Sequence, residues 1–223
     1  MRLLITDFQY EIEFPENQIN VLIIENPKLF TGILRDVWNQ ANGGDGGLLL
    51  SENGKEVVFG KTVEVVFNPF QLDINNRKMV SALYKDLSEA AKDSMLIETA
   101  ELNADYLRYF DSLIENYPYP VTYDDQIEVS ELFKAFKVRF DDSSDSLAEF
   151  VLNYFRMVSR VLGIRLFVFI GVKQYFSREE LSFLYQSLFY EKIFLLDIES
   201  EQKDILEEEK TVTIDKDQCI IEL

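Results

Sequence analysis

The sequence contains no histidine and only one cysteine, Cys219, among its 223 residues. Histidine is the commonest general base at neutral pH and the commonest metal ligand in proteins. Without it, neither a Ser-His-Asp or Cys-His catalytic arrangement nor a His/Cys zinc site can be built. Carboxylate, lysine, tyrosine and hydroxyl groups remain for chemistry, and this inventory favours a binding or assembly protein over a hydrolase.

Membrane and secretion signals are also missing from the sequence. The longest apolar runs, such as residues 166–172, are far shorter than the ~20 residues that a membrane-spanning helix needs. The N-terminal segment lacks the order of a secretory signal peptide, and one cysteine cannot form an internal disulfide. We therefore expect a cytoplasmic protein that has no membrane partner.

The composition supplies a large apolar core and an excess of acid. Hydrophobic residues make up 47% of the chain, with 18 Phe and 11 Tyr, which is enough for one large or two small domains. The 40 Asp and Glu outnumber the 22 Lys and Arg, giving a net charge of −18. This excess is typical of a soluble, self-repelling surface, although it is also compatible with a cation-binding one. Taken as a whole, the charge argues against a nucleic-acid partner.

Buried strands and helices alternate in the first and last parts of the chain. The apolar runs suited to buried strands are residues 20–24, 165–172 and 193–198. Helices are predicted after Asn26-Pro27, after Asp145 or Ser146 as cap, and after Ser177, which forms a capping box with Glu180. The pattern predicts an α/β fold with a parallel or mixed sheet and flanking helices.

The middle of the chain has a helical pattern and no glycine between Gly60 and Gly163. Residues 75–116 carry apolar residues at helical spacing, NYPYP marks a turn, and residues 128–136 resume as a helix. We predict a helical insertion, a protruding leg, over residues 75–136. The α/β head domain would then comprise residues 1–74 and 137–223.

Gly60-Lys61-Thr62 resembles the end of a phosphate-binding loop. The first glycine of that motif should stand at position 55, which is Lys55, and the residues after Thr62 are typical of a strand rather than of a helix. A phosphate loop needs a helix there, because the helix N-terminus supplies the amide donors. We predict an ordinary hairpin turn at this motif and no nucleotide hydrolysis.

Three acidic stretches are candidates for metal binding. In the first, Asp124 and Asp125 either cap the following helix or join Glu128 and the more distant Glu115 in a calcium site. The second stretch, residues 141–145, directly precedes a predicted helix, and capping of that helix explains its acidic residues. The third, residues 207–209, is predicted to be a solvated loop.

Positive charge is concentrated where the middle gives way to the last part of the chain. The residues concerned are Lys134, Lys137, Arg139, Arg156, Arg160 and Arg165. Two interpretations fit these residues equally well, an ordinary polar helix face and a DNA-binding surface. If subunits assembled around a symmetry axis, these residues would recur and could line a positive channel, because salt screens distant charges beyond about 8–10 Å.

The order of segments resembles that of the type II-A CRISPR-associated spacer-acquisition proteins of the Csn family, over nearly the whole length. The segments that carry the resemblance are VLIIE at 21–25 with Phe30, Ile33 and Leu34, VVFNPFQLDIN at 65–75, ELFKAFKV at 131–138, LFVF at 166–169, and residues 181–196.

This resemblance implies an α/β head related to nucleotide-hydrolase cores but without a phosphate loop, and a helical leg. It further implies a non-catalytic homotetrameric ring, stabilised by calcium, whose positive channel encircles double-stranded DNA and favours its ends. Such a ring would act in spacer acquisition beside the CRISPR integrase pair and the effector nuclease.

Two basic residues correspond to positions of the family pattern. Lys134 matches a lysine near a helix end, and Arg165 stands before a buried strand, whereas the other four basic candidates rest on charge position alone. The family's dense run of leg carboxylates is replaced here by residues 117–122, YPYPVT. The predicted calcium ligands that remain are Glu115, Asp124, Asp125 and Glu128.

Two other functions stay open at this stage. One is a divalent-metal-dependent nuclease or phosphotransferase that uses Asp124, Asp125 and Glu128. The other is an acidic protein-interaction scaffold without any DNA contact.

Overall fold

A computed structural model describes residues 1–222 of the chain. The chain divides into two compact units, which we call the sheet unit and the helical unit. The sheet unit comprises Met1–Ile74 and residues 142–222, and the helical unit comprises Asn75–Asp141.

A six-stranded mixed sheet forms the centre of the sheet unit. Its strands are β3 (Ile19–Ile24), β6 (Val63–Val66), β7 (Leu166–Ile170), β8 (Phe194–Glu199), β9 (Glu209–Ile214) and β10 (Ile220–Glu222). They lie in the order β10-β9-β3-β8-β7-β6, and all neighbours are parallel except β10 and β9. The predicted α/β class with a mixed sheet is confirmed.

A second sheet of four antiparallel strands belongs to the same unit. Its strands are β1 (Arg2–Ile5), β2 (Tyr10–Glu13), β4 (Leu48–Glu52) and β5 (Lys55–Val57), in the order β2-β1-β4-β5. Asn53 and Gly54 connect β4 to β5 with left-handed φ angles of 52° and 73°. Two successive left-handed residues match the twist of a two-residue hairpin, the turn that an Asn-Gly pair between two strands favours.

Seven helices are present among residues 1–222. They are α1 (Pro27–Ala41), α2 (Phe59–Thr62), α3 (Arg77–Asp93), α4 (Leu96–Ile114), α5 (Val129–Ala135), α6 (Leu147–Leu162) and α7 (Arg178–Tyr190). The Ser146 hydroxyl accepts the Glu149 amide, so Ser146 rather than Asp145 caps α6. The predicted capping box of Ser177 and Glu180 is confirmed, with reciprocal bonds of 3.2 and 2.8 Å.

The two faces of the central sheet are both covered, as the apolar runs predicted. Leu22, Val168 and Leu196 project to one face, where they belong to a core with α1 and the second sheet. Alternate residues of the same strands project to the opposite face. There, Phe155 of α6 stacks on Phe167 of β7 with ring centroids 4.1 Å apart. The second face therefore packs against α6 and, through its buried residues, α7.

Gly60-Lys61-Thr62 does not form the predicted hairpin turn. It belongs to the single helical turn α2, after which β6 enters the sheet parallel to β7. A Cβ added to Gly60 would lie 2.8 Å from the carbonyl oxygens of Gln40 and Ala41. Glycine is required here because the last turn of α1 approaches the α2 backbone so closely. The prediction of a strand after Thr62, which excludes a phosphate loop, is confirmed.

Helices α3, α4 and α5 make up the helical unit. Two hydrogen bonds join the ends of this unit. The Asn75 side-chain nitrogen donates to the Phe140 carbonyl at 3.1 Å, and the Asn75 side-chain oxygen accepts the Phe140 amide at 2.9 Å. Tyr84 of α3 contacts Phe133 of α5 with ring centroids 5.6 Å apart. None of the 19 residues of α4 is buried. Within residues 1–222, no helix combines the length and apolar character needed to span a membrane.

Replacing Gly60 by alanine tests the close approach of α1 and α2. We expect Gly60→Ala to lower the free energy of unfolding by about 1–3 kcal/mol, because the added methyl group meets backbone that cannot rotate away. Thermal unfolding followed by circular dichroism measures the change. Gly32→Ala in α1 is the matched control, since open space surrounds that position. The control should be neutral or stabilising by up to about 1 kcal/mol. Equal destabilisation of the two variants would contradict the role of Gly60.

Candidate functional site

The carboxyl ends of the parallel strands are the first place to look for a site. Ligands of open α/β sheets bind outside these ends, where the strand order reverses, which is here between β3 and β8. Asn26 follows β3, and its side-chain oxygen accepts the amides of Lys28 and Leu29. Pro27 has no amide to donate, and the Asn26 side-chain nitrogen donates to the Lys216 carbonyl at 3.1 Å. The helix-start donors that would bind a phosphate are therefore used internally.

Two carboxylates of β8 lie buried beside this position. Asp197 and Glu199 are 0% and 1% exposed and project to the same face of the sheet. Asp197 Oδ1 accepts the Val172 amide at 3.0 Å, and Glu199 Oε1 accepts the Lys173 amide at 3.1 Å. These bonds hold the short 3-10 turn Val172–Gln174 that follows β7.

A buried ion pair between Lys173 and Glu209 completes the cluster. The Lys173 Nζ donates to Glu209 Oε2 at 2.7 Å, and the two side chains are 6% and 0% exposed. Glu209 also accepts the Tyr185 hydroxyl at 3.0 Å and the Leu206 amide at 3.1 Å. The prediction of a solvated loop at residues 207–209 is therefore wrong for Glu209, which begins β9. Its charge is tolerated because an ammonium, a phenol and an amide all donate to it.

The buried carboxylates titrate abnormally. Burial raises the pKa of Asp197 well above its ordinary value, and the Glu199 charge raises it further. Burial also raises the pKa of Glu199, although the Lys203 ammonium at 3.9 Å opposes that shift. The pKa of Tyr185 is raised by burial and by the nearby carboxylates, so its phenol stays neutral and donates.

Four oxygen atoms of this face are buried and have no hydrogen-bond partner within residues 1–222. They are Asp197 Oδ2, Glu199 Oε2, Thr211 Oγ1 and Thr213 Oγ1. Val21 of β3 pairs with Asp197 on one neighbouring strand, β8, and with Thr211 on the other, β9. Nevertheless, no group of three or more His, Cys, Asp or Glu in the described part of the chain is arranged to hold a metal.

The four predicted calcium ligands lie on the surface of the helical unit. Glu115 follows the last residue of α4, Asp124 and Asp125 lie in a loop, and Glu128 precedes α5. The capping role considered for Asp124 and Asp125 is wrong, because α5 begins only at Val129 and its cap position is occupied by Glu128. Calcium binding by these carboxylates stays a prediction.

Three of the predicted DNA-binding residues are exposed near the C-terminal end of α5. Lys134 pairs with Glu131 at 2.6 Å, one turn earlier in the helix. Lys137 has a left-handed φ of 52°, and its amide donates to the Lys134 carbonyl. Arg139 follows two residues later and is also exposed. Residues 131–139 therefore carry three cations and one carboxylate, that of Glu131, and Asp141 and Asp142 come next in the chain. We call Lys134, Lys137 and Arg139 the α5 basic cluster.

The other three predicted residues belong to the sheet unit and have acidic partners. Arg156 and Arg160 of α6 both pair with Glu191, each at 3.2 Å. Arg165 lies 3.9 Å from Glu52, and its guanidinium is 5.1 Å from the centre of the Phe194 ring. The arginine pair of α6 therefore keeps a net charge of one, and part of its role is to attach α6 to the end of α7.

Sequence reasoning missed the buried cluster. A usable signal was present, because Asp197 stands inside the run 193–198 that was predicted to be a buried strand, and Glu199 follows that run directly. A charged residue at a buried strand position needs a partner. Nothing in the sequence shows that Lys173 is that partner for Glu209, since the two are 36 residues apart.

Removing the buried lysine tests how far the cluster depends on it. We expect Lys173→Met to lower the free energy of unfolding by about 3–5 kcal/mol, because Glu209 is left buried and unpaired. Thermal or urea unfolding measures the loss. Adding Glu209→Gln should recover much of the stability, since the unpaired charge is then gone. A double variant less stable than Lys173→Met alone would contradict the coupling.

Comparison with known proteins gives a family. A family model described as CRISPR-associated protein (Cas_Csn2) matches residues 40–218. No curated protein matches the chain. The match extends from the end of α1 to the turn before β10, so it includes the helical unit, the buried cluster and all six predicted basic residues. The chain therefore belongs to the CRISPR-associated Csn2 family.

Proposed function

We propose that the protein is a non-catalytic, sequence-independent binder of double-stranded DNA and its ends that acts in CRISPR spacer acquisition as a homotetrameric ring. The observation that carries this proposal is the family match over residues 40–218. The charge distribution and the exposed surface of the helical unit support it independently.

The α5 basic cluster supports a phosphate contact in a protein of net charge −18. Its three cations are exposed, and the Lys134–Glu131 pair is a surface ion pair, which contributes only about 0–1 kcal/mol. Glu131 can therefore be exchanged for a phosphate at small cost. Distant acids weaken such a contact little, because the Debye length is about 8 Å at physiological salt.

The exposed apolar surface of α4 supports oligomerisation. Leu102, Tyr109 and Leu113 recur at positions i, i+7 and i+11, which lie on one side of a helix, and they are 43%, 61% and 59% exposed. An apolar stripe of this length on a soluble protein marks an interaction surface. In a symmetric ring the same stripe would recur in each copy, and so would each basic cluster.

Internal use of the candidate phosphate donors supports a non-catalytic role. Asn26 occupies the amides at the start of α1, and Gly60 of the Gly-Lys-Thr motif serves the packing of α2 on α1. Binding energy would then come from phosphate contacts alone, which carry no sequence information.

As further parts of the proposal, calcium bound through Glu115, Asp124, Asp125 and Glu128 would stabilise the ring. The CRISPR integrase pair and the effector nuclease would be its partners.

Charge reversal in the α5 basic cluster tests the DNA contact. We expect Lys134→Glu with Lys137→Glu to abolish binding of a short linear duplex in gel shifts and to leave the oligomer intact. Wild-type affinity should fall steeply with salt, because each neutralised phosphate releases a counterion.

The matched control for this test is Lys85→Glu with Lys92→Glu on α3, which makes the same change in net charge at exposed positions. This control should lose little affinity. Equal losses in the two double variants would show that only net charge matters, and unchanged binding by the Lys134 and Lys137 variant would remove these residues from the DNA site.

Disrupting the α4 stripe tests the assembly. We expect wild-type protein to elute as a tetramer and Tyr109→Glu with Leu113→Glu to elute as a smaller species, because two charges replace exposed apolar surface. Light scattering coupled to size exclusion, with calcium or with a chelator, gives the masses. Ala104→Glu with Ser112→Glu on the same helix is the control and should remain tetrameric. A wild-type monomer under both conditions would contradict the ring.

A further inference from the structure

The buried cluster around β8, with Asp197 and Glu199 included, carries more acid than base. The groups that face them are Lys173 from the 3-10 turn, Tyr185 from α7, Glu209 from β9 and Lys203 from the segment 200–208. The neighbouring positions on the adjoining strands are Val21 and Phe169, which have no charge. Three buried carboxyl groups therefore share two ammonium groups, of which that of Lys203 is partly exposed.

One of the three carboxyl groups already has its partners. Glu209 accepts from Lys173, Tyr185 and Leu206, and Lys173 itself lies 2.7 Å from it. By contrast, Asp197 and Glu199 each have one oxygen with a backbone amide and one oxygen without any hydrogen-bond partner in the described part of the chain. Their positions two residues apart on one strand put them side by side on the same face. Ionisation of two adjacent buried carboxylates is disfavoured, and a proton shared by Asp197 Oδ2 and Glu199 Oε2 would supply the missing hydrogen bond, since Glu199 Oε2 otherwise has only the Lys203 ammonium at 3.9 Å.

We propose that Asp197 and Glu199 form a proton-binding site that holds one shared proton in the folded chain, and that release of this proton opens the segment 200–208 above it. The inference concerns the sheet unit alone and does not depend on the proposed DNA-binding function.

The segment 200–208 is the part of the structure that can respond. It is attached to the acid cluster by three contacts, which are Lys203 Nζ to Glu199 at 3.9 Å, the Asp204 carbonyl to Lys173 at 2.8 Å, and the Leu206 amide to Glu209 at 3.1 Å. A cavity of about 360 Å³ already lies against it, lined by Lys173, Phe176, Arg178, Leu181, Lys203, Asp204 and Leu206. Because Glu199 is the last residue of β8, displacement of this segment gives the second charge access to water, and the backbone bond that it breaks at the sheet is that from the Ile19 amide to the Glu208 carbonyl.

The direction of the pH effect follows from the raised pKa of both groups. In the unfolded chain these carboxyls lose their protons near pH 4, whereas the folded chain keeps one at higher pH. The stabilisation is therefore complete below about pH 4 and is lost as the pH rises through the folded pKa. The segment should open on the alkaline side.

Limited digestion with trypsin after Lys203 measures the opening directly. The cleavage rate is followed over the whole pH range in which the protein stays folded and trypsin cleaves, and it is divided by the rate for a free peptide of residues 199–209, which removes the pH dependence of the protease. We expect the corrected rate for the wild-type protein to rise with pH by up to roughly tenfold per unit, the limit for release of one proton. Asp197→Asn should give a low, flat rate, because the amide donates permanently where the proton was shared.

Two further variants keep the test decisive. Glu207→Gln removes an exposed charge from the same segment and should retain the wild-type pH dependence. If Asp197→Asn does not fold, Glu199→Gln replaces it, since its amide oxygen can still accept the Lys173 amide. A wild-type rate that does not rise with pH, or a rise that survives in the folded Asp197→Asn or Glu199→Gln variant, overturns the proposal.

Discussion

The buried ion pair of Lys173 and Glu209 is the constraint on which the sheet unit depends. The lysine comes from the turn after β7, and the glutamate begins β9, so the pair joins two strands that are separated in the sheet by β8 and β3. Three acidic side chains crowd this region, and Lys173 offers both its ammonium and its backbone amide to them. An uncompensated charge here would cost several kcal/mol, on the order of the whole stability of a domain.

At the usual ligand crevice of an α/β sheet, a cavity of about 420 Å³ lies beside Asn26 and Lys28, and the protein's own side chains accept the amides at the start of α1. Between β3 and β8, Asn26 satisfies the start of α1 and is itself tied to Lys216, while the neighbouring strand ends are filled by Asp197, Glu199 and their donors. The function proposed above uses exposed surfaces instead, namely the α5 basic cluster and α4.

Local signals in the sequence predicted the elements well, whereas long-range pairings could not be predicted. The Asn53-Gly54 hairpin and the Ser177 capping box depend on neighbouring residues, so their residue types suffice. The role of Gly60 depends on the end of α1, about twenty residues earlier, and Glu209 is buried only because Lys173 reaches it. Likewise, the arginine pair of α6 could be placed on a polar face, but its shared partner Glu191 is known only from the structure.

The strongly acidic composition and the proposed DNA contact are compatible because they act over different distances. Beyond a Debye length of about 8 Å, salt largely screens the repulsion between a duplex and the −18 of the chain. At contact, the local balance decides, and residues 131–139 have three cations and one acid. Each subunit of a ring would bring a further copy of this cluster, so local attraction grows with assembly while the long-range repulsion is screened by salt. Oligomerisation would thus be a condition for binding DNA, and an isolated chain of this composition should bind it poorly.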